Sequence, residues 1–432
     1  MDSGGVTGLG VGIVRDNKIV YVKSYGYRNK PAGLVGDTAT CMYAASLSKA
    51  VFAYLVMQLV GEGVIDLDKP LYTYLPKPLP EYPNYKDLGG DDRWRLITAR
   101  HCLSHTTGFP NFRWFNPRGN NKLEIFFTPG SRFAYSGEGL VLLQLVVETV
   151  TGRSLEELAQ QRIFGPFGMR RTSYVWQAFF EDDYAVGHTA DGDSLAKKRR
   201  NKPNAAGSME TTVADYARFL AAVMRHEGVR AKAWEEMVSP QIAIYEKHQF
   251  PSLNTDSTLD NRGIGLAYGL GWGLFRDATV GKVFFKEGHD DGWQNYSICI
   301  PGRKEAYVFL SNSDNAEGIY TALVRRLAGV EIPWEWEGYK PYRSWVVLPE
   351  AALRQWAGEY NGPGTVTLFV EDGRLRVRGE HIPAMTLYPS DETHFFTRRT
   401  GGSVEFLKPV GGGPVKAVVQ DGGDRYEMVK VR

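Results

Sequence analysis

Ser46-Leu47-Ser48-Lys49 opens the long apolar segment Ala50 to Val60, and the reading of these four residues decides the fold. On a helix, positions i and i+3 share a face. Lys49 therefore lies one turn beyond Ser46, with both tips in one cleft. A serine hydroxyl is a weak nucleophile until a neighbouring base takes its proton. A lysine serves as that base when burial lowers its pKa towards neutrality. The same spacing recurs at Ser194-Leu195-Ala196-Lys197. That copy runs into Lys198, Arg199 and Arg200, has no apolar helix behind it, and reads as a solvated loop.

Three further segments bear on Ser46. In Pro129-Gly130-Ser131-Arg132-Phe133-Ala134-Tyr135-Ser136-Gly137, Tyr135 precedes a small-residue turn and a helix. A phenol held there acts as a general base if nearby cations, Lys49 among them, lower its pKa. In Gly288-His289-Asp290-Asp291-Gly292-Trp293, at the end of a strand, His289 is placed to polarise or orient a substrate. An edge strand beside the nucleophile can lend a backbone N–H to an oxyanion, with the N–H of Ser46 as the other donor. Leu103-Ser104-His105-Thr106-Thr107-Gly108 reads as scaffold, with His105 structural. Taken singly, Tyr135 is a core tyrosine and His289 a turn histidine; their joint order carries the argument.

That order, Ser46-x-x-Lys49, then Tyr135-x-Gly137, then His289-x-Asp291 on a strand, resembles the serine beta-lactamase and penicillin-binding-protein superfamily. The resemblance is closest to its class C-like esterase and peptidase branch and covers residues 7 to 330. Residues 350 to 432 resemble the lipocalin-like barrel often appended to such hydrolases. The resemblance implies an acyl-enzyme on Ser46, with Lys49 and Tyr135 together removing its proton and later protonating the leaving group. It implies no metal and no organic cofactor. It also implies an α+β fold in which an antiparallel sheet is flanked by helices, with a helical insertion and then a small all-β barrel.

Two positions depart from the pattern. Where lactam-cleaving relatives often carry Asn, this chain has Gly137. Where they read Lys-Thr-Gly on the strand, it is read as His289-Asp290-Asp291, two acids that repel a carboxylate. The oxyanion donor on the strand then falls to Gly292. These departures argue against strong beta-lactamase or D-Ala-D-Ala carboxypeptidase activity. The first expectation is a carboxylesterase on small esters. The second is a D-aminopeptidase or amidase, with Asp290 or Asp291 receiving the substrate ammonium. A third, non-enzymatic reading is an inactive binding module.

The remaining sequence agrees with a soluble hydrolase in two domains. Of 432 residues, 43% are hydrophobic and 23% charged, and a net charge of +2 is too small to argue for nucleic acid. Cys41, Cys102 and Cys299 are too sparse for a disulfide framework or a metal site. There is no Gly-x-Ser-x-Gly elbow, no His-Glu-x-x-His and no P-loop. No segment has the apolar length of a membrane span. The start, Met1-Asp2-Ser3-Gly4-Gly5, carries no signal core. The expected location is cytoplasmic, or periplasmic or secreted if a leader precedes the chain; a homo-oligomer stays open.

Gly8 to Val14 and Lys18 to Tyr25 read as a hairpin about Asp16-Asn17. Helices are expected at Thr98 to Ser104, at Gly139 to Val150, after the Ser154/Glu157 capping box, and from Thr212 to Met224. Pro240 to Asn261 has the length of a lid or binding loop. Strands return at Lys282 to Lys286, Tyr296 to Ile300 and Ala306 to Leu310, followed by a helix over Gly318 to Leu327. The expected domains are a hydrolase over 1–335, a linker over 336–350 and a barrel over 351–432.

Overall fold

The computed structural model describes residues 1, 4–339, 342–380, 382, 384–409, 413–421 and 424–431. Asp2 and Ser3 of the N-terminal stretch, Lys340 and Pro341 of the expected linker, and the terminal Arg432 lie outside the described residues.

The main sheet has nine antiparallel strands and is assembled from both ends of the first 330 residues. In chain order its members and their small companion pair are β1 (Gly8–Arg15), β2 (Lys18–Asn29), β3 (Leu34–Val35), β4 (Met42–Tyr43), β5 (Glu210–Thr211), β6 (Ile242–Ala243), β7 (Ala267–Tyr268), β8 (Gly273–Asp277), β9 (Gly281–Asp290), β10 (Trp293–Ile300) and β11 (Glu305–Ser311). The order is β3-β2-β1-β11-β10-β9-β8-β7-β6, while β4 and β5 pair separately. β1 pairs with β11 from Leu9↔Ser311 to Val14↔Ala306, which closes the sheet across the whole helical insertion. β6, β7 and β8 are absent from the sequence reading. They are short or glycine-flanked, so they carry little alternation.

Helices cover both faces: α1 (Leu47–Gly61), α2 (Ala99–Leu103), α3 (Gly137–Thr151), α4 (Leu155–Ala159), α5 (Val213–Met224), α6 (Ala231–Met237), α7 (Glu317–Ala328) and α8 (Trp334–Glu337). β1 shows why two layers form. Leu9, Val11 and Ile13 join the core cluster on the α7 side, and Val14 joins the one containing α5. Both faces of the strand are therefore buried. Local caps match local sequence: Thr98 accepts from the His101 N–H, Ser154 and Glu157 form a reciprocal capping box, and Thr212 accepts from the Asp215 N–H.

Every residue of α1 from Leu47 to Leu59 is buried. A helix apolar all round is a core element, and each buried Val, Leu or Phe contributes about 1.5–3 kcal/mol. Tertiary burial thus fixes α1 far more firmly than helix propensity does. Two consequences reach the site. Lys49 is carried into the interior by its own helix, and Ser46, the N-cap residue, stands at the helix mouth.

β9 brings the second half of the site. Its pairing with β8 ends at Phe285↔Gly273, so residues 286–290 present an unpaired edge. That edge lies against the turn before α1: a Cβ on Gly288 would stand 2.6 Å from the Ala44 carbonyl oxygen and 2.9 Å from the Leu47 nitrogen. Only glycine allows this backbone-to-backbone approach.

After α7 the chain is not yet linker. Trp336, Glu337 and Tyr339 are buried against the sheet, so the expected linker over 336–350 begins inside the core. Eight strands between Gly358 and Lys430 then form a closed barrel. Tyr388 of the barrel donates to Asp191 across the junction at 3.2 Å, and the Thr386 N–H donates to the same carboxylate at 3.1 Å.

Replacing Gly288 by Ala forces backbone apart rather than a flexible side chain. We expect a loss of about 1–3 kcal/mol of stability, the usual range for overpacking, seen as a lowered melting transition in calorimetry.

Candidate active site

Ser46 follows Ala45, which holds φ at +47°. A non-glycine residue in that region stores roughly 1–3 kcal/mol of strain, and here it turns the chain from β4 into α1. Lys49 Nζ lies 2.8 Å from Ser46 Oγ and 2.5 Å from the Ala206 carbonyl oxygen. Tyr135 arrives from the loop before α3. Its ring lines the same cleft as Ser46, and Lys49 Nζ stands 5.0 Å from its ring centroid. Ser46, Lys49 and Tyr135 therefore meet in one place.

A second ammonium completes the group. Lys286 of β9 donates to the Tyr135 hydroxyl at 2.9 Å, to the Glu287 carbonyl at 3.0 Å and to Glu287 Oε1 at 2.7 Å. Lys286 and Glu287 are 0% and 3% exposed. The strand segment facing the nucleophile is thus Lys286-Glu287-Gly288, not His289-Asp290-Asp291. The Lys-x-Gly spacing stands in the sequence three residues upstream of His289.

The titration of these groups follows from burial. Burial pushes the Lys49 amine well below the ordinary lysine value, and Lys286 adds to the push. Burial also raises the Tyr135 phenol well above its usual value, with Glu287 adding and the Ser46 hydrogen bond opposing. The expected phenolate is therefore replaced by a phenol held in its protonated form, beside an amine whose proton is loosened. Glu287 is pushed up by burial, but the adjoining Lys286 outweighs this and holds it below the usual carboxylate range. His105 lies against the Tyr135 ring at 4.1 Å between centroids and accepts the Ser136 N–H on Nδ1 at 3.0 Å. Burial keeps its ring neutral.

The other expected site residues are placed differently. His289 reaches the cleft, but its Nε2 is 3.0 Å from the Tyr339 hydroxyl, and burial pushes its pKa down to about 4. Asp290 lines the cleft and pairs with Arg200 at 3.5 Å and Lys198 at 4.0 Å. Asp291 is exposed in the two-residue turn between β9 and β10. The Gly292 N–H donates to Asp314 at 2.6 Å, so it is unavailable as an oxyanion donor. The alternating ladder of an antiparallel pair instead turns the His289 N–H towards the unpaired edge. The Glu287 carbonyl, on that same side, is taken by Lys286. No hydrogen bond leaves the Ser46 N–H among the described residues.

The cleft over these groups has a volume of about 1300 Å³. On one wall stand Phe112, Trp114 and Phe115, with the Phe112 and Trp114 rings stacked at 4.5 Å. Phe112 also packs over Gly137, where a Cβ would meet the ring at 2.7 Å. On the other wall is the segment Phe250 to Asn254. Phe250 meets Tyr135 edge-on at 5.3 Å, and Gln249 beside it donates to Glu287 Oε1 at 2.9 Å. The long 240–261 loop is thus a wall of the site. The sequence signal for the aromatic wall was a run of three aromatics between Pro110 and Pro117. Trp272, Trp293 and Tyr268 are core. Lys197 of the second Ser-x-x-Lys is not solvated either: it is 3% exposed and bonded to Glu210 at 2.7 Å.

The Beta-lactamase family model matches residues 1–330. The chain belongs to the beta-lactamase family. Among curated relatives, penicillin-binding protein 4* of Bacillus subtilis is 23% identical over 96% of this chain and 93% of its own length. A putative D-alanyl-D-alanine carboxypeptidase of Salmonella schwarzengrund is 26% identical over 42% of this chain and 48% of its own. Among solved structures, an octameric penicillin-binding protein homologue from Pyrococcus abyssi superposes with a TM-score of 0.62 at 23% identity, covering 100% of this chain and 97% of that one. A class C beta-lactamase gives 0.57 at 19% identity, over 72% and 88%. These structural likenesses establish the α+β fold. No helix among the described residues of this beta-lactamase-family chain is long and apolar enough to cross a membrane.

If Lys49 works as a neutral amine, activity is lost as pH falls through its lowered pKa and the amine gains a proton. We expect kcat/KM to rise with pH along one acid limb, and Lys49→Met to lower it more than a thousandfold and abolish that limb. A pH–rate profile of both proteins checks this.

Proposed function

We propose that this protein is a serine hydrolase that forms an acyl-enzyme on Ser46, and that it is a carboxylesterase on small esters. The observation that carries the proposal is the 2.8 Å contact between Ser46 Oγ and an amine whose pKa burial lowers well below the ordinary lysine value. In the proposed reaction Ser46 Oγ attacks the ester carbonyl carbon while its proton passes to Lys49 Nζ. The oxyanion is held by the N–H groups of Ser46 and His289. Collapse breaks the bond to the leaving alkoxide, which takes the Tyr135 phenolic proton. Lys286, donating to the phenol oxygen, stabilises the phenolate so formed, and the proton on Lys49 restores it. Water then attacks the acyl carbon with the same groups in reverse order.

An ester is favoured over a lactam because Gly137 offers no side-chain amide, and because the aromatic wall suits an apolar acyl or alcohol group. An aminopeptidase that seats an ammonium on Asp290 or Asp291 draws less support, since Asp290 is already paired with two cations and Asp291 stands on the turn. A decayed binding module has no need of the nucleophile–amine contact.

A fluorophosphonate should label the wild type once, at Ser46, by mass spectrometry, and Ser46→Ala should take no label. An unlabelled, folded wild type that also fails to turn over short p-nitrophenyl esters would reject the hydrolase reading. Trp114→Ala with Phe115→Ala should lower kcat/KM for phenylacetyl esters at least tenfold and leave acetyl esters within threefold. Following the octameric Pyrococcus abyssi homologue, and with Val20, Tyr27 and Val35 exposed on the outer strands, we expect a homo-oligomer. Light scattering that gives a monomer mass would reject this.

A further inference from the structure

The inner end of the cleft carries a carboxylate that the reaction above does not use. Glu287 lines the cleft two residues before His289, on the strand edge that faces Ser46. Its Oε1 is committed to Lys286 at 2.7 Å and to Gln249 at 2.9 Å. Its Oε2 is buried without a hydrogen-bond partner, and so is Gln249 Oε1 beside it. Two unsatisfied acceptors side by side in a buried site are costly unless something supplies a donor.

The charges around this point make the site one-sided. Lys286 is the cation nearest the nucleophile on the strand, and Glu287 neutralises it within the same buried pair. Arg200 is shared between Glu210 and Asp290, each at 3.5 Å, and lies over the Tyr43 ring. Lys198, 70% exposed at the rim, faces Asp290. His289 faces Tyr339. Asn111 and Asn204 are uncharged. Among the described residues no cation at the inner end is left for an incoming anion, whereas two acceptors lack a donor.

We infer that Glu287, with Gln249, is the specificity determinant that bars substrates carrying a carboxylate next to the acyl group and admits those that bring a hydrogen-bond donor, such as an amide N–H or an ammonium. This deepens the serine-hydrolase reading and rests on it for the identity of the cleft. Glu287 is a positioning and specificity residue here, with no part in bond making.

The test separates binding from turnover. Equilibrium binding of phenylacetylglycine, its methyl ester and its primary amide is measured by calorimetry on Ser46→Ala at pH 7.5. We expect the amide and the ester to bind at least tenfold more tightly than the acid, with the amide tightest. Adding Glu287→Gln should bring the acid to within threefold of the ester, while Glu287→Asp should keep the discrimination. An acid that binds Ser46→Ala as tightly as its ester, a discrimination untouched by Glu287→Gln, or no binding of any of the three would overturn the inference. The first arm changes nothing at position 287, so a misfolded Glu287 variant does not shelter the proposal. Loss of Ser46-dependent labelling in the wild type would reject the hydrolase reading alone and leave the binding result to be judged by itself.

Discussion

Two lysine amines are buried around one phenol, with Nζ atoms 5.0 Å and 4.8 Å from the Tyr135 ring centroid. Two like charges at such a spacing in a low-dielectric interior are not both tolerated. The resolution is asymmetric. Lys286 has a carboxylate at 2.7 Å, whereas Lys49 has only a hydroxyl and a carbonyl. The cost of burial therefore falls more heavily on Lys49, the amine beside the serine. In this arrangement the Lys286–Glu287 pair is more than structural. It opposes the downward shift on Lys286 and leaves the larger one on Lys49.

The geometry that permits this is a near-collision of backbones. α1 brings Ser46 and Lys49 because its whole length is core, and β9 brings Lys286 and Glu287 because its edge is left unpaired past Phe285. Gly288 lets the two touch. The aromatic wall and the 240–261 loop then roof the contact, with Phe250 against Tyr135 and Gln249 against Glu287. Catalytic groups and recognition groups are thus the same few residues seen from two sides.

Much of this was legible in the sequence, for reasons that differ by residue. Ser46 and Lys49 were readable because helical spacing is local and the apolar run behind them is unambiguous. Tyr135 was readable only in company. Lys286 was missed although the Lys-x-Gly spacing was there, because a strand's register against a distant helix is a tertiary fact. Gly292 was misjudged for the same reason: nothing local says that Asp314 occupies its N–H. The phenolate expectation failed because proximity to cations is visible in a pattern, while complete burial is not. The sheet's closure through β1 and β11 followed from strand-rich ends around a helical middle. β6 to β8 were too short to leave a periodic trace.

The position of α8 carries a consequence for how such proteins can be cut and rejoined. Tyr339 holds His289, and the Gln249 N–H donates to the Trp336 carbonyl at 2.8 Å. His289 and Gln249 are therefore backed by chain lying past residue 330, where the match to the family ends. A recombination seam drawn at that boundary would strip the support from behind His289 and Gln249. The modular joint, for evolution or for an engineer grafting another appendage, lies beyond Tyr339.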